Sequence, residues 1–116
     1  MIHRIVPNLK VADASAGHDF YVELLGLKQQ FDLGWVASFR SPENPAIQVS
    51  LVSADASAPE DSAMTVAVDD VDAYYAEARR RSYEIVHPLT EEAWGPRRFF
   101  IRDPNGVVVN VLGHPD

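Results

Sequence analysis

The chain carries one short pattern twice. Residues 9–13 read Leu-Lys-Val-Ala-Asp and residues 66–70 read Val-Ala-Val-Asp-Asp, about half the chain apart. Each copy is a β-type run that ends in aspartate and is followed by a segment of helical type. With 116 residues the chain has room for one domain with a modest core. The repeat therefore predicts two copies of one module within a single domain.

The first copy predicts a strand, a helix and three further strands. The strand covers residues 5–11, and Asp13 is expected to cap the helix, because its carboxylate can accept hydrogen bonds from the first-turn N–H groups. Gly26 is expected to end the helix in the left-handed conformation. A buried helix face is predicted from apolar residues four positions apart, and Gly- and Pro-containing segments separate the later strands. The face consists of Ala16, Phe20 and Leu24, and the strands cover 28–32, 35–40 and 46–53.

The second copy predicts the same order of elements. Asp69 or Asp70 is expected to cap a helix over residues 71–81, and Ser82 takes the position that a glycine holds in the first copy. The strands of this copy are predicted over residues 64–68, 83–87, 97–102 and 107–112.

The last two strands are joined by the turn sequence Asp-Pro-Asn-Gly, in which proline and glycine hold positions that a four-residue turn favours. A turn of that length pairs Arg102 with Val107. Because strand side chains alternate between faces, this pairing places Arg97 and Phe99 on the same face as Asn110. These three side chains are therefore expected to point the same way.

A β-α-β-β-β module covers one face of its sheet with its own helix and leaves the other face open. Two such modules side by side can curl their mixed sheets into a shared cup with the helices outside, which creates a cavity lined by alternate strand residues. The predicted fold class is α+β, with a single domain over residues 1–116. Module one covers about 1–53, a small, polar and acidic connector about 54–62, and module two about 63–116.

Three stretches of the chain resemble the vicinal oxygen chelate superfamily, which includes glyoxalase I, extradiol dioxygenases and the fosfomycin- and bleomycin-resistance proteins. They lie at residues 9–27, 66–73 and 94–106, and their order and spacing carry the resemblance. The last stretch, Trp-Gly-x-Arg-x-Phe-x-x-Arg-Asp-Pro-x-Gly, is similar to the pattern of the bleomycin-resistance branch. The resemblance implies the paired cup, and for that branch a homodimer that binds an antibiotic at the subunit interface.

Metal enzymes of this superfamily hold a divalent ion with four His or Glu ligands on the inner strand faces, so the resemblance assigns four positions in this chain. A catalytic divalent ion needs imidazole or charged oxygen ligands. The four positions carry two aliphatic and two amide side chains instead, and a one-residue shift supplies no strong ligand. The expectation is therefore no metal and no cofactor. The four positions are Val6, Gln48, Ala63 and Asn110.

The resemblance implies a metal-free protein that sequesters a small molecule in an aromatic-lined cavity, with no catalytic residue. Aromatic rings would stack on a planar ligand, while amides and hydroxyls would hydrogen-bond to it. A core position remains the alternative for Trp35 and Phe39, and a solvated rim position for Arg97. The expected ligand-binding residues are Trp35, Phe39, Gln48, Ser50, Trp94, Arg97, Phe99 and Asn110.

The composition limits the kinds of molecule that the protein is expected to bind. The net charge of −7 argues against nucleic acid as a partner and is compatible with a cationic small-molecule ligand. The absence of cysteine excludes disulfides, thiolate metal ligands and a cysteine nucleophile. No apolar run approaches the roughly 20 residues of a membrane helix, and the first residues lack the apolar core of a signal peptide. A cytoplasmic protein without a membrane partner is therefore expected.

Two other functions remain open from the sequence. One is a glyoxalase-like lyase, isomerase or dioxygenase with a displaced or absent metal site. The other is a module that binds a protein partner through its dimer surface. None of the four histidines is expected to serve a site, and His3 is expected to face away from the cavity.

Overall fold

The structure is a computed structural model that describes residues 1–114. Within this part of the chain lie eight strands, one α-helix and a short π-helical turn at Asp19–Leu24. The helix, α1, covers Val71–Arg80. The strands are β1 (Ile2–Lys10), β2 (Lys28–Asp32), β3 (Val36–Arg40), β4 (Gln48–Val52), β5 (Met64–Val68), β6 (Ile85–Glu91), β7 (Arg97–Arg102) and β8 (Val108–Gly113).

All eight strands form one curled, open sheet in the order β2-β3-β4-β1-β5-β8-β7-β6. In each half the first strand pairs in parallel with the last, β1 with β4 and β5 with β8. The halves join where β1 and β5 run antiparallel, with Val6 opposite Thr65. The predicted α+β cup of two β-α-β-β-β copies is confirmed, and both halves of the cup come from the same chain.

Each half has its own core on the outer face of the sheet. In the first half a buried cluster forms between the sheet and the segment that leads into the π-helical turn, from Ala14, Ala37, Phe39 and Leu51. In the second half α1 packs on the sheet through Val71 and Ala78, against Val66, Val68, Phe99 and Val111. Because the helical segments cover the outer face, the inner face is left to form the cavity. No helix within residues 1–114 is both long and apolar enough to cross a bilayer.

The start of the first helical segment differs from the prediction. The π-helical turn begins only at Asp19, and no side chain caps its N-terminus. Asp13 instead accepts a hydrogen bond from the Ser15 backbone N–H at 2.9 Å, within a local turn that precedes the helix. Aspartate readily makes such turns with the backbone two residues on, and this one replaces the predicted cap.

The predicted buried face of that segment is also wrong. Phe20 and Leu24 are 53% and 70% exposed, and Ala16 is exposed as well. Tyr21 packs inward instead and stacks on Phe39, with ring centroids 5.2 Å apart. The cause is the π-type bond from the Leu25 N–H to the Phe20 carbonyl at 3.1 Å, because five-residue bonds rotate the side chains away from a 3.6-residue period.

The helix of the second half matches its prediction closely. Asp70 caps α1, and its Oδ1 accepts the Ala73 N–H at 3.1 Å. Beyond the helix, Ser82 has φ 60°, and Gly26 has φ 76° after the π-helical turn of the first half. Both halves therefore end their helical segment on a left-handed residue, as the sequence comparison of the two copies predicts.

The hairpin between β7 and β8 is one residue longer than predicted. Arg102 pairs with Val108 rather than with Val107, and Phe100 pairs with Asn110. The longer loop is closed by a hydrogen bond from the Asp103 N–H to the Val107 carbonyl at 2.8 Å. Because side chains alternate along a strand, a shift of one residue turns every β7 side chain to the opposite face of the sheet.

Candidate functional site

The inner face of the sheet lines a cavity of about 1060 Å³. Strand β1 contributes Arg4, Val6 and Asn8 at alternate positions, and β4 contributes Gln48 and Ser50 in the same way. The connector between the halves and the loop before β7 complete the lining with polar and aromatic side chains. Among these are Asp55, Asp61, Ser62, Trp94, Gly95 and Pro96.

Five of the eight residues expected to bind a ligand lie in this lining, namely Trp35, Gln48, Ser50, Trp94 and Asn110. The other three do not. Phe39 is 1% exposed and lies in the outer core, stacked on Tyr21, so it takes the core position that the sequence left open for it. Arg97 and Phe99 lie on the outer face for a different reason.

Arg97 and Phe99 point towards α1 because of the longer β7–β8 hairpin. The Arg97 guanidinium binds the Asp72 carboxylate, with Nη2 2.7 Å from Oδ1. This hydrogen bond lowers the pKa of Asp72 and raises that of Arg97. Phe99 is 1% exposed and meets the Tyr75 ring edge-on, with ring centroids 5.0 Å apart. The prediction that these two side chains share a face with Asn110 is wrong.

The structure places three of the four positions assigned to a metal on the cavity wall and replaces the fourth. Val6, Gln48 and Asn110 line the cavity, whereas Ala63 precedes β5 and does not. Thr65 takes the inward place on β5, opposite Val6 and beside Asn110. The corrected set offers two amides, one hydroxyl and one aliphatic group, and no three His, Asp or Glu side chains converge within residues 1–114. These residues do not fit the divalent ion of the superfamily's metal enzymes.

A hydrogen-bonded polar cluster replaces the metal site. The Thr65 hydroxyl oxygen accepts hydrogen bonds from Asn8 Nδ2 at 2.9 Å and from Asn110 Nδ2 at 3.1 Å. Asn110 is 4% exposed, and its Oδ1 has no partner among the described residues. Turning the Asn110 amide over would give the Thr65 hydroxyl an acceptor but leave the amide nitrogen unpaired instead. In either orientation Asn110 has one hydrogen-bonding group available for a ligand or a water molecule.

Two tryptophans form an aromatic edge of the cavity. The rings of Trp35 and Trp94 meet nearly at right angles, with centroids 5.4 Å apart and an interplanar angle of 80°. Trp94 is 39% exposed, and its indole N–H lies 3.4 Å from the Ser57 hydroxyl of the connector. An aromatic surface that is held in place and still partly exposed can stack on a planar ligand.

Arg98 is a buried residue of the cavity wall. The predicted pairing of β7 with β8 would turn its side chain to the outer face of the sheet instead. Its side chain is 2% exposed, with Nη1 2.9 Å from Asp55 Oδ2 and Nε 3.3 Å from Glu92 Oε1. The rings of Trp94 and Phe100 lie 4.9 and 4.7 Å from its guanidinium carbon, within the range of cation–π contacts. Because Asp55 belongs to the connector, this cluster ties the connector to β7.

Arg4 lines the cavity from β1 and lacks such neighbours. Its Nη2 lies 2.8 Å from His114 Nε2, and its buried Nε has no partner among residues 1–114. Burial lowers the pKa of Arg4, and desolvation together with the Arg4 charge lowers the pKa of His114. His3 also lines the cavity, against the prediction, because a β-bulge between Ile2 and Arg4 shifts β1 against β5.

Sequence reasoning missed four of these polar residues. The sequence pattern does indicate the inner face for Arg4 and Asn8, because each lies two positions from Val6, which the resemblance places on that face. For Thr65 and Arg98 the sequence pattern is a weaker indication of the strand face. Their faces depend on where β5 begins and on the length of the β7–β8 hairpin, and neither boundary can be read from residue types to within one position.

Comparisons with known proteins agree with this geometry. A sequence model of the family described as "Glyoxalase/Bleomycin resistance protein/Dioxygenase superfamily" matches residues 2–111. No curated protein is similar enough in sequence to count as a match.

Many solved structures share the fold, and three of them illustrate the likeness. A Vibrio splendidus glyoxalase/bleomycin resistance protein/dioxygenase superfamily member is 18% identical, with 97% of this chain and 99% of that chain covered and a TM-score of 0.71. Methylmalonyl-CoA epimerase from Mycobacterium tuberculosis is 17% identical, with coverages of 99% and 88% and a TM-score of 0.70. A Legionella pneumophila protein described as an NAD-dependent benzaldehyde dehydrogenase is 17% identical, with coverages of 96% and 99% and a TM-score of 0.74.

At these identities the solved structures show the fold alone, and the family match rests on nearly the whole sequence. The two repeated modules, their shared cup and this match lead to one conclusion. The chain belongs to the glyoxalase/bleomycin resistance protein/dioxygenase superfamily.

Proposed function

We propose that the protein binds a small organic molecule in the cavity of the cup without the help of a metal ion. The observation that carries this proposal is the set of side chains at the four central positions. Val6, Gln48, Thr65 and Asn110 line the cavity and offer neutral hydrogen-bonding and apolar groups. Such groups suit an organic ligand, whereas a catalytic divalent ion needs imidazole or carboxylate ligands.

The size and the lining of the cavity support the same proposal. Sites for small organic ligands enclose about 300–1000 Å³ and combine apolar walls with a few polar groups that fix orientation. The cavity here, at about 1060 Å³, lies just above the upper limit of that range. Trp35 and Trp94 supply the aromatic wall, and the unpaired amide group of Asn110 supplies a polar anchor.

Turnover of the bound molecule is the second function that the fold permits, since methylmalonyl-CoA epimerase from Mycobacterium tuberculosis shares it. The described cavity lining shows no arrangement that favours a particular reaction. Sequestration is therefore proposed first, and turnover becomes an outcome of the test. The homodimer implied by the resemblance stays a prediction.

The test uses a neutral fluorescent probe of the cavity, N-phenyl-1-naphthylamine, with the full chain. We expect one probe to bind per chain, with the same affinity in EDTA and in added zinc. Ser50→Trp is expected to reduce the affinity at least tenfold, because a large side chain at this inward position of β4 would fill part of the cavity. Glu23→Trp adds the same ring at an exposed position outside the cavity and is the matched control.

Two results would overturn the proposal. One is probe binding that requires a divalent ion. The other is binding that both tryptophan variants leave unchanged, since the probe would then lie outside the cavity. Conversion of a bound small molecule to product by the chelator-treated protein would replace sequestration with catalysis.

Trp94→Ala tests the aromatic wall. Loss of a stacking surface is expected to weaken probe binding about tenfold, because a stacked aromatic contact contributes on the order of 1 kcal/mol beyond the burial of its area. Titration of the probe fluorescence measures the change. An affinity equal to that of the parent protein would show that the ring serves the structure alone.

A further inference from the structure

We propose that the molecule bound in the cup carries a carboxylate group and that Arg4 holds it. This inference rests on the proposed function and specifies the class of ligand. It also departs from the cationic ligand that the net charge of −7 suggests, because the charges at the cavity wall, rather than the sum over the chain, decide which group can bind there.

The charges on the cavity lining carry the argument. Arg98 is neutralised by Asp55 at 2.9 Å, and Asp61 by Lys10 Nζ at 2.5 Å. Arg4 is left without a carboxylate partner among residues 1–114. The described lining holds two arginines and two aspartates, so its formal charge sums to zero. Arg4 is the one of these four whose charge no ion pair within residues 1–114 offsets, in a chain where acidic residues outnumber basic ones by seventeen to ten.

Arg4, on β1, differs from the arginines on the strands of the second half. Arg97, Arg98 and Arg102 each bind one or two carboxylates. The described partner of the Arg4 guanidinium is the His114 ring, and its Nε is buried without a hydrogen bond within residues 1–114. Burying a cation without an anion is unfavourable. The planar fork of an arginine matches a carboxylate, so a bound acid would satisfy both the charge and the free donors.

The strand register relates Arg4 to the aromatic edge. Arg4 pairs with Ala67, which pairs with Leu112, which in turn pairs with Arg98. Arg98 lies under the Trp94 ring. Three strand spacings of about 4.8 Å put roughly 14 Å between the two ends of this row, measured along the sheet. The Arg4 side chain covers part of that span, and an acid with two fused aromatic rings covers the rest.

The experiment compares three probes that share a naphthalene ring: 2-naphthoate, 2-naphthamide and 2-naphthylmethylamine. We expect the carboxylate to bind the full-length protein at least tenfold more tightly than the amide, with the amine weakest, by isothermal titration calorimetry. Arg4→Gln should reduce the affinity for 2-naphthoate at least tenfold and leave that for 2-naphthamide unchanged. Arg79→Gln removes an arginine from the exposed surface of α1 and should alter none of the affinities.

A second measurement does not depend on the shape of the probe. Arg4→Met should leave the thermal midpoint of the ligand-free protein unchanged or raise it, because it removes a half-buried cation that binds no carboxylate among the described residues. A fall of several degrees would show that Arg4 stabilises the fold, and it would overturn the inference.

The outcomes separate the inference from the proposed function. If 2-naphthamide binds as tightly as 2-naphthoate, or if Arg4→Gln keeps the preference for the acid, the inference is wrong and the cavity still binds small molecules. If the naphthalene probes fail while N-phenyl-1-naphthylamine binds, the inference is also wrong. If none of the four compounds binds, both proposals are contradicted.

Discussion

Ser82 and Gly26 hold equivalent positions in the two halves of the molecule, and the residue type at this position determines the conformational strain at the end of the helical segment. Both follow a helical segment in the left-handed region, with φ 60° and 76°. Glycine adopts this conformation freely, whereas a residue with a Cβ pays about 1 kcal/mol for it. The second half therefore carries a small strain at Ser82 that the first half avoids.

Ser82→Gly is predicted to raise the free energy of unfolding by about 1 kcal/mol, since it removes this strain at a helix end where glycine is favoured. Urea unfolding followed by circular dichroism measures the change. Gly26→Ala is the matched variant in the other half and should lower the stability by a similar amount. A gain from both substitutions, or from neither, would contradict this description of the two helix ends.

Arg4 and His114 are a second pair of residues whose interaction has a measurable effect, in this case on the pKa of His114. Desolvation and the Arg4 charge lower the pKa of His114 below the usual 6.5. The folded protein thus binds this proton less readily than the unfolded chain. The stability that the neutral ring contributes is complete above pH 6.5 and is lost as the pH falls through the lower, folded pKa.

Arg4→Gln is predicted to move the pKa of His114 back towards 6.5, because it removes the neighbouring positive charge. An NMR titration of the imidazole protons measures the shift, and Arg79→Gln should leave it unchanged. An unaltered His114 pKa in Arg4→Gln would show that the two side chains do not interact in solution.

In the β7–β8 hairpin, the pairing of the two strands decides which face of the sheet each side chain occupies. Its turn sequence predicts the hairpin and nearly fixes its ends, yet one extra loop residue exchanges the faces of Arg97 and Arg98. The first helical segment shows the same effect. Its π-type hydrogen bonding brings Tyr21 inward and leaves Phe20 exposed. Both errors concern the phase of an element rather than its presence, and residue types report phase poorly when a loop or a helix gains one residue.

Neighbouring arginines on β7 allow a direct test of this register. Arg98→Met is predicted to lower the free energy of unfolding by about 3–5 kcal/mol, because it leaves the buried carboxylates of Asp55 and Glu92 without their cation. Arg97→Met breaks an ion pair near the surface and should cost much less, because solvent screens an exposed pair. Urea unfolding of the two variants provides the comparison, and a reversed order of the two costs would contradict the register.

At the scale of the whole molecule, the repeat in the sequence is sufficient to predict the architecture. Two aspartate-ended strands half a chain apart predict the two modules, and the open inner face of each module predicts the cup. The site follows less completely. Gln48, Ser50 and Asn110 reach the cavity as predicted. The inward position of Arg4 follows from its spacing to Val6, whereas that of Arg98 emerges only once the β7–β8 register is known.

The proposal of metal-free binding depends on the side chains at the four central positions, and a calorimetric titration with zinc tests it most directly. The chelator-treated protein is predicted to give no binding heat. A variant that combines Val6→His, Gln48→Glu, Thr65→His and Asn110→Glu should bind one zinc ion per chain, because it puts four strong ligands side by side on the inner face of four adjacent strands. Tight binding of one zinc ion by the parent protein, or none by the folded variant, would contradict the account.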